Sequence, residues 1–333
     1  MITIKLSTKV PSWRWLRQTP GSKGVWGNCR FVADSNLQEC DYWVVCDGLP
    51  GEETALCPKE NTILITGEPA AIKGYDKEYL SQFGCVITTQ RKISHRNVIH
   101  SQAALPWFVG LQLVRTPGNR DIWKDEVRLD YDRLRSMRAP KKDKLISVLI
   151  SSKAKRKGHR KRTVFVKRLQ SEFKGEIDVF ISEINGPEDK WDVISNYKYH
   201  IAIENCSCPD YFSEKLLDAF LGMTYPIYYG CTNLNKYFPE SSFARIDIND
   251  WETSIDTIRK VIREDRFASS EAERMTAKDL VLDEYNLFPM ISRLVEGGTI
   301  HGRPERLVLK PEKKRPYRPW TPLMQYAEVR SKC

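Results

Sequence analysis

The sequence predicts two consecutive α/β domains, each built on a largely parallel sheet, and three observations carry that expectation. Short β-rich runs recur along the chain at intervals long enough for crossovers, which favours parallel pairing over hairpins. A turn-and-charge segment near the middle separates two such series. The 333 residues also suffice for two hydrophobic cores.

In the first series, strands are expected at 2–6, 42–46, 62–66 and 85–89, each ending in turn or polar residues. Residues 115–143 change character. A turn cluster, Arg115-Thr116-Pro117-Gly118-Asn119, is followed by a charged stretch ending in Arg138-Ala139-Pro140-Lys141-Lys142, read as the interdomain connection. The second series opens with a continuous apolar run at 145–150, the pattern of a buried parallel strand. Phe165, Leu169 and Phe173 then recur every four residues on one helix face. Further strands are expected at 177–181, 199–203, 226–229 and 243–248. A helix carries the stripe Leu216, Leu217, Phe220 and Leu221, and two more helices are expected at 253–263 and 271–294.

The boundaries are therefore an N-terminal α/β domain at 1–140, a C-terminal α/β domain at 141–300, and a basic tail at 301–333. The tail is rich in Lys, Arg and Pro, includes Trp320 and lacks periodicity. It reads either as a poorly ordered segment or as an attachment to an anionic membrane.

Composition narrows the function classes. A hydrophobic fraction of 41% is that of a globular protein. A net charge of +10 calls for an anionic partner: nucleic acid, a phosphate-bearing ligand or an acidic membrane. The nine cysteines follow no disulfide or zinc spacing, Cys206-Ser207-Cys208 being a lone CxC, so they read as small buried hydrophobes. No secretory signal and no apolar run of membrane-spanning length is visible. The expected location is cytoplasmic, peripheral to the inner face of a membrane at most. Zincin, P-loop and nucleophile-elbow motifs are lacking, as is a convincing Asp-x-Asp metal motif.

Chemistry concentrates at 197–243. A buried strand runs into Glu204-Asn205, a short loop follows, and a helix begins near Ser213. Ligands of open α/β sheets bind at the carboxyl ends of strands, and a helix start adds free N–H groups suited to phosphate. Lys215, a cation in the first turn, opposes the helix dipole, a placement that a bound pyrophosphate would make tolerable. Glu214 could accept from two neighbouring ribose hydroxyls. Tyr211 offers a ring face and a hydroxyl to a phosphate or sugar. Taken singly, each of these residues also suits an ordinary solvated helix start.

Together they resemble the donor motif of glycosyltransferase family 10, the α1,3/α1,4-fucosyltransferases. The family pattern is roughly Y-K-F-x-L-x-F-E-N, then T-E-K-x-x-D-A, then P-(Ile or Val)-Y-W-G, then P-x-S-F. It is met by Tyr197-Lys198-Tyr199, Glu204-Asn205, Tyr211, Glu214-Lys215, Asp218-Ala219, Pro226-Ile227-Tyr228-Tyr229-Gly230 and Pro239 through Phe243. Ser213 replaces the usual Thr, and Tyr229 the usual Trp.

The resemblance implies a GT-B-like fold, two Rossmann-type domains facing a cleft, and transfer of fucose from GDP-fucose with inversion. It implies that Tyr211 and Lys215 contact the donor phosphates, that Glu214 contacts the ribose, and that Asn205 shapes the pocket. The register of 162–169 aligns Arg162 with the family's Arg in the first donor-domain helix. A guanidinium fork suits two phosphate oxygens, although Arg160 and Lys161 stand beside it. The family's Ser-Asn before this helix appears as Ser151-Ser152-Lys153. In the first domain, Thr66-Gly67-Glu68 ends a strand as the family's T-G-E does, which gives Glu68 the role of general base. Gly67 would ease the turn, and His95 and His100 are rival bases.

Side-chain cations would stabilise the leaving diphosphate, so no cofactor or metal is expected. The partners are then a GDP-sugar donor and an oligosaccharide or glycolipid acceptor, with membrane contact through the tail. The nine basic residues in 153–168 read as solvated or phosphate-binding rather than RNA-binding, since only Phe165 interleaves them. Alternatives are the same chemistry with another nucleotide sugar, or a non-catalytic basic RNA- or membrane-binding protein on a transferase scaffold.

Overall fold

A computed structural model describes residues 1–10, 14–114, 122–151, 157–298 and 302–313. The turn cluster at 115–119, Ser152-Lys153 with the first residues of the adjoining basic run, and the tail from 314 lie outside the described residues.

The first unit comprises β1 (Ile2–Thr8), β2 (Val25–Trp26), β3 (Cys29–Val32), β4 (Tyr42–Cys46), β5 (Glu53–Cys57), β6 (Thr62–Ile65), β7 (Cys85–Thr88) and β8 (Val98–His100), with the short helix α1 (Lys77–Leu80). Its main sheet has the order β2-β3-β1-β4-β6-β7-β8, and every pairing except β2–β3 is parallel. Strands β4, β6 and β7 are buried along their whole length, which explains why they read as unbroken apolar runs.

A hairpin of β9 (Leu111–Val114) and β10 (Ile122–Val127), then helix α2 (Tyr131–Ser136), leads to the second unit. There, β11 (Lys144–Ile150), α3 (Lys157–Glu172), β12 (Ile177–Ile181), β13 (Tyr197–Ile203), α4 (Glu214–Leu221), β14 (Tyr225–Tyr229) and β15 (Ala244–Arg245) form an all-parallel sheet in the order β12-β11-β13-β14-β15. Helices α5 (Trp251–Arg263), α6 (Arg266–Ser269), α7 (Glu271–Asp283) and α8 (Leu287–Glu296) and strand β16 (Glu305–Leu309) complete the described chain.

Both sheets are doubly wound. In each sheet the first strand is flanked by later strands on both sides, β1 by β3 and β4 and β11 by β12 and β13. Chain direction therefore diverges between β1 and β4 in one sheet and between β11 and β13 in the other. Such divergence opens a crevice at the strands' carboxyl ends, where ligands of this architecture bind. This is the two-unit, Rossmann-type α/β architecture expected from sequence.

The chain is less cleanly divided than the boundaries at 140 and 300 suggest. Trp107, Val109, Leu129 and Leu134, placed by sequence in the first domain, pack with Phe212, Leu216, Phe220 and Val281 of the second. Conversely, Leu287, Phe288, Ile291 and Val295 of α8 pack with Ile4, Phe31, Val44 and Ile63 of the first. The helix expected at 271–294 is thus two helices. Asn286 breaks it in extended geometry, and its side chain accepts from Phe288 N. The strand expected at 243–248 is reduced to Ala244–Arg245. The start of the supposed tail is not loose either, because β16 pairs antiparallel with β5, from Glu305 opposite Cys57 to Leu309 opposite Glu53. Among the described residues no helix is long and apolar enough to cross a membrane.

Candidate functional site

The crevice of the second sheet is built by two consecutive residues, each of which holds one cation. Glu204 and Asn205 leave β13 together. Glu204 is 1% exposed, and its carboxylate accepts from Ser213 N at 2.8 Å, from Ser213 Oγ at 2.8 Å and from Lys215 Nζ at 3.3 Å. Asn205 Oδ1 accepts from Arg162 Nη1 at 3.0 Å, while Arg162 Nη2 donates to Ser151 Oγ at 3.1 Å. Arg162 comes from α3 and Ser151 follows β11, so the guanidinium lies at the divergence of β11 and β13. It is 3% exposed, and its Nε finds no partner among the described residues. The structure thus brings Arg162, Asn205, Glu214 and Lys215 together.

Ser213 caps α4, accepting from Lys215 N at 3.4 Å. Lys215 Nζ reaches Ser213 Oγ at 3.0 Å, Glu214 Oε1 at 3.1 Å and Glu204. A cation in the first helical turn is therefore answered by two carboxylates before any ligand arrives. Burial lowers the Lys215 pKa, but Glu204 and Glu214 outweigh it and hold the ammonium above its ordinary value. Burial likewise raises the Glu214 carboxyl, yet Lys215 and Lys190 pull it down to about 2.

Lys190 was not singled out by sequence, since it lies in an aperiodic polar stretch. Its Nζ stands 3.6 Å from Glu214 Oε1, 3.1 Å from Asp218 Oδ2 and 4.6 Å from the Phe108 ring centroid. Asp218, fully buried, also accepts from Phe108 N at 2.7 Å and Val109 N at 3.1 Å. The Asp of the motif thus clamps α4 to the segment that joins the units. Gly230, at the end of the same motif, has a steric reason of its own. A Cβ there would lie 2.3 Å from Tyr228 Oη and 2.5 Å from Glu204 Cγ.

Tyr211 differs from its sequence reading. It is 3% exposed, which leaves almost no ring face for a ligand. Its hydroxyl pKa is raised by burial first, then by the carboxylates of Glu204, Glu214 and Glu68.

Glu68 belongs to the first unit, just past β6. Its backbone N–H donates to Tyr75 Oη at 3.3 Å, and its carbonyl accepts from Gln90 Nε2 at 2.8 Å. Tyr75 Oη in turn donates to Asp47 Oδ1 at 2.6 Å. The Oε2 atom of Glu68 is buried without a hydrogen-bond partner among the described residues. Burial raises its pKa, Asp47 adds to the rise, and the Lys215 ammonium of the other unit opposes it. Gly67 lacks a positive φ, so turn freedom does not explain it. A Cβ there would instead crowd Asp47 Cβ at 3.3 Å.

The rival bases stand elsewhere. The ring nitrogens of His95 lie 2.8 Å from Asn97 O and 2.9 Å from Phe83 O, and His100 is exposed on β8. Cysteines 29, 40, 46, 57, 85 and 231 are buried, as small hydrophobes are. Cys206 and Cys208 are half-buried with sulfurs 3.6 Å apart. Arg91 of the first unit forms an ion pair with the fully buried Asp210 of the second, which Tyr237 Oη and Asn233 Nδ2 also hold. Two cavities meet the site. One of ≈ 280 Å³ reaches Ser151 and Glu214. The other, of ≈ 350 Å³, lies at the ends of β1, β4 and β6 and reaches Gly67. Phe108 and Trp123 line both.

Residues 139–266 match the model of the glycosyltransferase family 10 (fucosyltransferase) C-terminal domain. The match falls in the second unit. Curated relatives include GDP-fucose protein O-fucosyltransferase 3 of Danio rerio, 30% identical over 82 residues, covering 20% of this chain and 18% of that protein. The α1,3-fucosyltransferase FucT of Helicobacter pylori is 33% identical over 73 residues, covering 22% and 15%. Alpha-(1,3)-fucosyltransferase B of Drosophila melanogaster is 39% identical over 59 residues, covering 18% and 13%. The matched stretches thus span less than a fifth of each relative. A crystal structure of an α1,3-fucosyltransferase is similar at a TM-score of 0.47 and 15% identity, covering 90% of this chain and 91% of that one. The cations, Glu204-Asn205 and the capped helix of the site all lie inside the matched stretch, whereas Glu68 lies outside it.

Proposed function

We propose that this chain is an inverting glycosyltransferase that moves fucose from GDP-fucose to a hydroxyl of an oligosaccharide or glycolipid acceptor. The observation that carries the reading is the meeting of two units. Glu68, whose buried Oε2 has no hydrogen-bond partner among the described residues, lies within electrostatic reach of Lys215, which stands with Arg162 and a capped helix start at the crevice of the second sheet. The fucosyltransferase names of the curated relatives support the donor.

In this mechanism the diphosphate lies at the divergence of β11 and β13, bound by Arg162, Lys215 and the N–H groups of α4. Glu214 accepts from the ribose, and Asn205 keeps Arg162 in place. Glu68 takes the acceptor hydroxyl's proton as that oxygen attacks the anomeric carbon from the face opposite the leaving phosphate, inverting it. A raised carboxyl pKa suits a base, bringing it nearer the pH of operation. The cations neutralise charge on the departing GDP, with no metal in the scheme. The acceptor enters over the ≈ 350 Å³ cavity beside Gly67.

Calorimetric titration with GDP, UDP and CDP tests the donor site, repeated on Lys215→Ala. Selective GDP binding that the substitution weakens supports the reading. Preference for another nucleotide keeps the transferase and removes fucose. No nucleotide binding overturns the donor site.

A further inference from the structure

In the proposed mechanism a base on the first unit meets a donor held by the second, and two consecutive residues past β7 span that gap. Gln90 is buried, and its N–H donates to Thr88 Oγ1 at 3.0 Å. Its Nε2 donates to two carbonyls, that of Glu68 at 2.8 Å and that of Lys73 at 2.9 Å. One amide group thus pins both ends of the loop 68–73, which carries Glu68. The neighbouring residue, Arg91, reaches out of the first unit and pairs through Nη2 with Asp210 Oδ2 of the second.

Asp210 is a firm anchor. It is fully buried in the loop between β13 and α4, shortly before the cap Ser213. It adopts the left-handed backbone at a φ of 61°, which an aspartate tolerates better than most residues. Its Oδ1 accepts from Asn233 Nδ2 at 2.8 Å and Tyr237 Oη at 2.5 Å, and its N–H donates to Asn233 Oδ1 at 2.8 Å. Burial raises its pKa, but Tyr237, Asn233 and Arg91 outweigh that and hold the carboxyl below its ordinary value. The carboxylate is therefore ionised at neutral pH, with Lys236 Nζ farther off at 3.7 Å from Oδ1. Arg91 is half-exposed whereas its partner is not, so the pair is less screened than one between two surface groups. Building on the donor-site and base readings, we propose that Arg91 is a positioning residue that, with Gln90, fixes the loop of Glu68 against the loop leading into α4. It touches no substrate in the mechanism. Parting the two loops would take a cation from a buried carboxylate, which is costly.

Hydrogen–deuterium exchange on the full chain tests the coupling in Arg91→Met, which keeps the stem and drops the charge, and in Arg91→Lys, which keeps the charge. In Arg91→Met the amides of 68–73 and 206–212 are expected to exchange about tenfold faster, with the core strands of both sheets unchanged. Arg91→Lys restores most of that protection. The GDP Kd of Arg91→Met is essentially kept. Its release of GDP from GDP-fucose, with water as acceptor, keeps the KM and loses about tenfold in kcat. Unchanged exchange at both loops in Arg91→Met, or an unchanged kcat, overturns the inference and leaves the donor-site reading standing. Faster exchange throughout the chain makes the pair merely structural and overturns it as well. Failure of GDP to bind the unaltered chain overturns the donor-site reading, and exchange at the two loops still decides whether Arg91 couples them.

Discussion

The two halves of the candidate site are built on opposite principles. On the side of the second unit the cations are held internally: Lys215 by Glu204 and Glu214, Lys190 by Asp218, and both Nη atoms of Arg162 by Asn205 and Ser151, with only its Nε unpartnered among the described residues. On the first-unit side Glu68 is held through its backbone by Tyr75 and Gln90, and among the described residues its buried Oε2 has no hydrogen-bond partner. A preorganised array of cations costs nothing to reorganise when charge develops, which suits binding and leaving-group stabilisation. A buried, under-satisfied carboxylate is raised in pKa and kept free to accept a proton, which suits a base. The contrast teaches that the first half should govern affinity and the second turnover.

Three substitutions can break or sharpen that contrast, beginning with the largest effect. Glu68→Gln is expected to lower kcat by about 10²–10⁴-fold, with the GDP Kd essentially unchanged by calorimetry. A comparable loss in Kd would erase the division of labour. If Glu68 is the base, as proposed, the rate of the unaltered chain should rise with pH through a value above that of an ordinary carboxylate, because the base must be ionised and its pKa is raised.

Asp218→Ala removes the acceptor of two connecting-segment N–H groups and the partner of Lys190. It should cost about 3–5 kcal/mol in denaturant unfolding, although Asp218 touches no substrate in the mechanism. Lys215→Ala, in contrast, should weaken GDP by about 1.5–3 kcal/mol, the worth of hydrogen bonds to charged groups. The smallest effect concerns stability at the base. The folded pKa of Glu68 lies above its unfolded value, so the native state binds the extra proton. Glu68 therefore detracts from stability as pH rises through that window. Glu68→Gln should raise Tm slightly at neutral pH and hardly at all below the unfolded pKa. A lowered Tm at neutral pH would mean that the carboxylate has a partner in the fold after all.

Much of the site was legible because its parts are local. The strand into Glu204-Asn205, the cap at Ser213 and the Glu214-Lys215 pair fall within a dozen residues, and the motif's spacing places them together. Glu68 was legible only through its resemblance to a T-G-E strand end, since a lone turn carboxylate carries no signal. Lys190 and the clamp role of Asp218 were hidden, because an ammonium in an aperiodic loop looks like any solvated lysine until Phe108, Glu214 and Asp218 surround it. Tyr211 was over-read. Its type suggested a stacking face, whereas burial leaves nearly none.

The sequence by itself determined the two series of strands, the donor-side motif and the capped helix, since each follows from neighbouring residues with a fixed period or spacing. Tertiary structure alone decided the strand orders and the return of α8 and β16 to the first unit. Those are contacts between residues far apart in the chain. Apolar burial sets them, and burial is blind to sequence distance: α8 takes its place because Leu287, Phe288, Ile291 and Val295 meet the apolar face of β1, β3, β4 and β6.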